Sequence, residues 1–142
     1  PWLRRSKPPK LCNHSSILTK LTSRYFPAFY RHRAVIELEK GDPEAGAKLV
    51  ADWLDKEPLD GHAMIMLAQF KQDAGLREEA EMLLEQAANL PDHAAAAHLA
   101  HGKLLVAASE YSEAVVQLEQ SYQLRPTESL ANYLDAIKEL AN

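Results

Sequence analysis

Three histidines near the middle of the chain, His93, His98 and His101, are the residues whose type and spacing come closest to a metal site. Neutral imidazoles bind zinc, and a tetrahedral zinc site needs three or four converging ligands. His98 and His101 would project from one side of a helix, because residues three apart are neighbours on its surface. Both positions are expected to face neighbouring helices, so we interpret them as interior histidines and expect no bound metal.

The other reactive side chains form no catalytic arrangement. Glu78 with Glu79, and Asp52 with Asp55, lie in polar stretches without the apolar pocket that tunes a carboxyl group for acid–base work. Cys12, the one cysteine, has no histidine or carboxylate beside it to activate a thiolate. A phosphate-binding glycine loop, a nucleophile elbow and a metalloprotease histidine pair are also missing from the sequence. We therefore expect a chain that is not an enzyme by itself and binds no cofactor.

Charge is unevenly distributed along the 142 residues. Residues 1–33 contain 8 basic residues and no acidic one (+8), and the remainder contains 16 − 8 = 8 basic residues against all 20 acidic ones (−12). A body of this charge would repel nucleic-acid phosphates, so we expect no nucleic-acid partner. The longest apolar run, around Ala94 to Ala100, is far shorter than the roughly 20 residues that span a bilayer, so no transmembrane segment is expected.

A 34-residue period relates small, apolar and helix-ending residues from Ala34 onward. Five columns repeat at this spacing. They are the small residues Ala34, Ala68, Gly102 and Ala136; the small residues Gly46, Ala80 and Ala114; the turn-forming Gly41, Gly75 and Ser109; the apolar Val50, Leu84 and Leu118; and the helix-ending Pro58, Asp92 and Pro126. Chance would rarely place such different residue types at separate, fixed phases, so the chain is predicted to be built from repeats.

Each column predicts one feature of the repeated unit. Small residues let two antiparallel helices approach closely, so the two small columns predict helix crossing points. Gly41 and Gly75 predict turns, because glycine ends a helix in the left-handed conformation without steric cost. Asp42 and Pro43 predict the cap and first residue of the next helix, and Pro58 predicts its end. The unit is helix, turn, helix, stop.

This pattern resembles the tetratricopeptide repeat, which has small residues at its eighth, twentieth and twenty-seventh positions and a proline near the thirty-second. The resemblance implies an all-α fold in which helix pairs stack into a right-handed superhelix, because one pair cannot bury its apolar face alone. It spans residues 27–142 and implies three repeats and a capping helix at 27–60, 61–94, 95–128 and 129–142. Single positions that depart from the pattern are Trp53, Asp92 and Ser121.

In this family the first helix of each repeat lines a concave face, so the resemblance implies a scaffold or adaptor that binds a protein partner there as a peptide or a helix. The implied binding residues are Arg31, Val35, Leu38, His62, Ile65, Gln69, Gln72, Leu99, Lys103, Val106 and Tyr133, with Leu130 and Ile137 extending the face into the capping helix. The carboxylate clamp of chaperone-binding members is not implied, because Arg31 is the only basic residue at its matching positions. The alternative is a substrate-recruiting part of a larger enzyme or of a membrane-associated assembly complex.

Residues 1–26 are a basic arm outside the repeats, in which Ile17, Leu18, Leu21 and Tyr25 would share one side of a short helix. Three interpretations stay open: an arm that covers the acidic body, a juxtamembrane or transit-like segment, and a nucleic-acid contact, which the acidic body disfavours. A covering arm would lie in the concave groove, at the open end of the stack, or on a second copy, which gives self-association. We expect a cytoplasmic protein, with a periplasmic or membrane-peripheral location left open.

Removal of residues 1–26 should lower the melting temperature and increase self-association, because it would uncover the apolar patch that the arm is expected to bury. Thermal unfolding and sedimentation of the full and shortened chains provide the measurement. A shortened chain that is equally stable and strictly monomeric would mean that the arm is a solvated tether.

Overall fold

The computed structural model describes residues 28–37 and 39–142, and in these the regular secondary structure is entirely helical. Helix α1 occupies residues 28–37. The six helices that follow are α2 (Pro43–Lys56), α3 (Gly61–Asp73), α4 (Arg77–Ala88), α5 (Ala94–Ala107), α6 (Tyr111–Leu124) and α7 (Glu128–Ala141). The predicted all-α class is confirmed, whereas the basic arm and Leu38 lie outside the described residues.

The turns that precede α2, α4 and α6 have one conformation, repeated at the 34-residue spacing. Gly41, Gly75 and Ser109 all have positive φ, at 81°, 77° and 63°. After each of them, an amide donates to the carbonyl five residues back, with N–O distances of 2.9, 2.8 and 2.9 Å for the pairs Asp42–Glu37, Leu76–Lys71 and Glu110–Leu105. This hydrogen bond is the mark of a left-handed helix ending, so the predicted turns at both glycines are confirmed.

Helix α2 begins as its sequence predicts. The carboxylate of Asp42 accepts the amide of Ala45 at 2.9 Å, and Pro43 is the first helical residue. This bond satisfies one of the amides that have no partner inside the helix, and Pro43 has no amide hydrogen to satisfy. Pro58 lies beyond the end of α2 and Pro126 beyond the end of α6, which confirms the predicted stops.

Each of helices α2 to α7 packs against its neighbours in the chain, and α3 also contacts α5. Three links between consecutive helices are only three residues long, at residues 74–76, 108–110 and 125–127. Such short links join helices that run antiparallel. The most extensive contacts join α3 to α4 and α5 to α6. Two helix pairs can therefore be recognised directly from packing, and α7 lies beside α6 as an additional helix.

The helices cross where the small residues lie. In one small column Ala34, Ala68 and Gly102 are buried, and in the other Gly46, Ala80 and Ala114 are buried. A Cβ atom added to Gly102 would lie 2.7 Å from Cγ of Leu118, which is closer than real Cβ contacts come. Only a residue without a side chain fits at this crossing of α5 and α6.

Ala136 is the exception among the small residues, because it is exposed. It occupies the same phase in α7 as Ala68 occupies in α3, but the described residues include no helix that packs over it. A small residue at this phase therefore marks a helix crossing only where a second helix packs against the first.

The core is distributed as successive clusters between the helices. One cluster joins α1, α2 and α3 and contains the fully buried Trp53, whose indole N–H has no hydrogen-bond partner among the described residues. Two smaller clusters join α3, α4 and α5. A fourth joins α5, α6 and α7 around Leu118. Each helix is thus stabilised mainly by its nearest neighbours, as in repeat proteins.

Replacement of Ala34 by leucine should destabilise the chain by about 1–3 kcal/mol, because the larger side chain has no room at the crossing of α1 and α2. Ala34 is fully buried, whereas Ala136 is exposed at the same phase of the period. Ala136→Leu is therefore the matched control and should change the free energy of unfolding little. Equal losses for the two variants in urea unfolding would contradict the described packing.

Candidate binding groove

Two adjoining hollows form a continuous depression in the surface of the described residues. The larger has a volume of about 480 Å³ and is lined by Ala95, Ala96, Leu99, Lys103, Ser121, Arg125, Thr127, Ser129, Leu130 and Tyr133. The smaller, of about 210 Å³, is lined by Ile65, Ala68, Gln69, Gln72, Leu84, Ala96, Leu99, Ala100 and Lys103. Ala96, Leu99 and Lys103 border both hollows, so we treat them as one groove.

The groove is lined mainly by one face of every second helix. On α5, Ala96, Leu99 and Lys103 are three and four residues apart, a spacing that places them on one side of the helix. The same spacing relates Ile65, Gln69 and Gln72 on α3, and Leu130 with Tyr133 on α7. Helices α4 and α6 contribute little to it, because they lie on the other side of these helices.

The structure brings together six of the eleven residues named from the sequence: Ile65, Gln69, Gln72, Leu99, Lys103 and Tyr133. His62 and Val106 are partly buried and border neither hollow, and Val106 packs against the cluster around Leu118. Arg31 and Val35 are exposed on α1. Leu130 lines the groove as expected, but Ile137 is only 4% exposed and belongs to the core, which corrects its assignment to the binding face.

The walls of the larger hollow are held by hydrogen bonds. The hydroxyl of Ser121 donates to the carbonyl oxygen of Ala95 at 2.8 Å and joins α6 to the start of α5. The hydroxyl of Thr127 accepts the amide of Leu130 at 3.2 Å and caps α7. Both hydroxyls therefore have structural partners, and they fix the positions of the helices that border the hollow.

The groove combines apolar side chains with two cations. Leu99, Leu130 and Tyr133 contribute apolar surface, while Lys103 and Arg125 contribute positive charge. No carboxylate is among the described residues that line either hollow. The described residues that line the two hollows include no nucleophile paired with a base.

The sequence did not predict the groove residues that lie in the link between α6 and α7 and in the first turn of α7. Arg125 and Thr127 lie in the link between α6 and α7, and Ser129 lies in the first turn of α7. Because a link of three residues must pass close to the end of the preceding helix pair, its shortness was the one sequence feature that indicated residues of the link near the hollow. Helical periodicity alone does not indicate which side of the link faces the hollow.

His62, His98 and His101 are partly buried. Nδ1 of His98 donates to Oε1 of Gln117 at 2.8 Å, which links α5 to α6. Burial lowers the pKa of His101, although Glu81 and Glu85 nearby act in the opposite direction. Burial and then the charge of Arg31 lower the pKa of His62. Within residues 28–37 and 39–142, no group of three or more histidine, cysteine or acidic residues is arranged to hold a metal ion.

The free energy of unfolding should fall as the pH drops below about 6.5. In this range His62 and His101 are protonated in the unfolded chain, whereas their lowered pKa values keep them neutral in the folded chain. The loss continues until the pH passes the lowered pKa of each folded histidine. Glu110, whose pKa is lowered by its hydrogen bonds with Arg77, titrates below its usual 4.5 and leaves this range undisturbed.

The double variant His62→Gln with His101→Gln provides the measurement. Its free energy of unfolding should fall less between about pH 7.5 and pH 5.5 than that of the original chain, and above about pH 7.5 the two should differ by a constant offset. Equal losses over that interval would mean that these two imidazoles do not cause the pH dependence.

No protein-family model matches the chain, and no curated protein matches it. In the part of the chain that the structure describes, every helix is too short or too polar to cross a membrane. The groove, with its apolar surface and its two cations, is therefore the feature from which a function can be inferred.

Proposed function

We propose that this chain is a scaffold of stacked helix pairs, similar to the tetratricopeptide-repeat proteins, and that it binds a segment of a partner protein in the groove across α3, α5 and α7. The segment is an extended peptide or a helix. The chain acts by binding and is not an enzyme by itself.

The repeated turn supports the relationship to the tetratricopeptide repeat. Gly41, Gly75 and Ser109 share one backbone conformation at the 34-residue spacing, and the same amide-to-carbonyl bond follows each of them. Buried small residues recur at the two crossing positions of the family, and Trp53, Ala87 and Ser121 are all buried at its twenty-seventh position. Sequence and conformation thus repeat with one period, as stacked helix pairs require.

The groove is the observation that carries the proposed binding function. It continues across α3, α5 and α7, which would be the first helices of successive repeats and of the cap. The two hollows share Ala96, Leu99 and Lys103, so one continuous segment would contact both of them. Apolar side chains of a partner would pack against Leu99 and Leu130, while the amides of Gln69 and Gln72 offer hydrogen bonds to its backbone.

Filling the groove should abolish partner binding without unfolding the chain. Ala96 is exposed and borders both hollows, so Ala96→Phe would place a ring where the partner must lie. Val116→Phe is the control, because Val116 is exposed on α6 and borders neither hollow. Proteins captured from a cell extract by the full chain should be lost with Ala96→Phe and retained with Val116→Phe.

The melting temperature of both variants must stay near that of the original chain for the comparison to hold. A partner retained equally by both variants would place binding on another surface, and the proposed groove function would then be wrong.

A further inference from the structure

We infer that the segment bound in the groove is acidic: an internal stretch of a partner protein that places aspartate or glutamate side chains beside an apolar anchor. This inference rests on the proposed function and assigns the chemistry of the ligand. It follows from the distribution of ion pairs over the body of the chain.

Four of the eight cations in residues 34–142 form a salt bridge with a described carboxylate. Lys40, Lys71, Arg77 and Lys138 each form a salt bridge with a glutamate, at N–O distances between 2.5 and 3.1 Å. Lys103 and Arg125 form none with any described residue. The two cations that border the groove are thus left without a carboxylate in a body that has an excess of acidic residues.

Acidic side chains are also missing from the described lining of the groove. Residues 34–142 contain all 20 acidic residues of the chain, yet none of them lines either hollow. The groove is therefore a cationic strip on an acidic body. A carboxylate that enters it gains a cationic partner next to apolar walls, where attraction between charges is screened less than in open solvent.

The positions of the cations favour carboxylates distributed along a segment. Lys103 borders both hollows, whereas Arg125 borders only the larger one, so they flank different parts of the groove. An apolar side chain of the ligand would occupy the larger hollow between Leu99, Leu130 and Tyr133, and acidic residues on either side of it would meet the two cations. A single terminal carboxylate would use only part of this arrangement.

Charge also argues against the basic arm as the occupant of the groove. Residues 1–26 contain six basic residues, Arg4, Arg5, Lys7, Lys10, Lys20 and Arg24, and no acidic one. Lys103 and Arg125 would repel such a segment. The groove is therefore open to an external acidic ligand, and the arm is better matched to the acidic surface elsewhere on the body.

A random library of displayed dodecapeptides, selected on the immobilised full chain, tests this inference even while the partner protein is unidentified. The retained peptides should contain more aspartate and glutamate than the starting library, together with at least one large apolar residue. A representative peptide, synthesised with both ends blocked, is then titrated by fluorescence anisotropy. Its binding should weaken as sodium chloride is raised from about 0.1 M, because salt screens the charge attraction.

The double variant Lys103→Gln with Arg125→Gln should bind this peptide about three- to tenfold more weakly, as expected for the loss of two partly exposed charge pairs. The matched control is Arg33→Gln with Lys48→Gln. It removes the same charge, because Arg33 and Lys48 are also exposed, form no salt bridge with a described residue and lie outside the groove. The control should bind like the original chain, and far-ultraviolet circular dichroism should be the same for all three proteins.

The other outcomes distinguish two failures. The retained peptides bind in the groove if Ala96→Phe no longer retains them. If such peptides carry no acidic excess, the inference is wrong and the proposed function still stands. Retention that is absent, or insensitive to Ala96→Phe, would overturn both. If a synthetic peptide of residues 1–26 binds in the groove, the occupant is the basic arm and the inference is wrong. If the chain dimerises and Lys103→Gln with Arg125→Gln abolishes the dimer, the occupant is a second copy and the inference is also wrong.

Discussion

The close approach of neighbouring helices at small residues is the constraint on which the rest of this structure depends. At Gly46 an added Cβ atom would lie 2.8 Å from Cζ of Phe70, and at Gly102 it would lie 2.7 Å from Cγ of Leu118. Such contacts allow the large side chains to fill the space between helices without voids, which gives an interior its packing density. The same crossings set the distance between α3, α5 and α7, and hence the existence of a groove between them.

Ion pairs contribute to the fold in a different way. Arg77 at the start of α4 donates to both carboxylate oxygens of Glu110, which directly precedes α6, and also to Glu81 at 2.7 Å. These hydrogen bonds raise the pKa of Arg77 and lower that of Glu110. All three side chains are substantially exposed, so the contribution to stability is small, and packing holds the helix pairs together. The ion pairs instead neutralise cations on the outer surface, whereas Lys103 and Arg125, which border the groove, form no salt bridge with a described residue.

The sequence predicted those features that one residue type can specify alone. The left-handed turns at Gly41 and Gly75 and the cap at Asp42 follow from local backbone chemistry, which does not depend on distant residues. Trp53 and Ser121 depart from the repeat pattern, yet both are buried at the expected position. The surrounding residues make this burial possible for Ser121, because its hydroxyl donates a hydrogen bond to the carbonyl oxygen of Ala95 on α5.

The binding face was predicted only in part, because helical phase indicates a side of the helix and not what covers it. Ile137 has the phase of an inward residue on α7 but is buried against α6, and Val106 near the end of α5 also packs into that cluster. Arg125 was missed because the conformation of a three-residue link is set by the two helices it joins. Recognition of the groove as a cationic strip required the spatial arrangement of the glutamates as well as that of the cations.

The central claim is that a partner segment lies across α3, α5 and α7. Amide chemical-shift mapping of the full, nitrogen-15-labelled chain, during titration with a peptide selected from the library, tests it most directly. The largest shifts should fall on residues that border the groove, such as Gln69, Ala96, Lys103 and Tyr133. Shifts concentrated on the exposed side of α4 and α6, around Met82 and Val116, would contradict it.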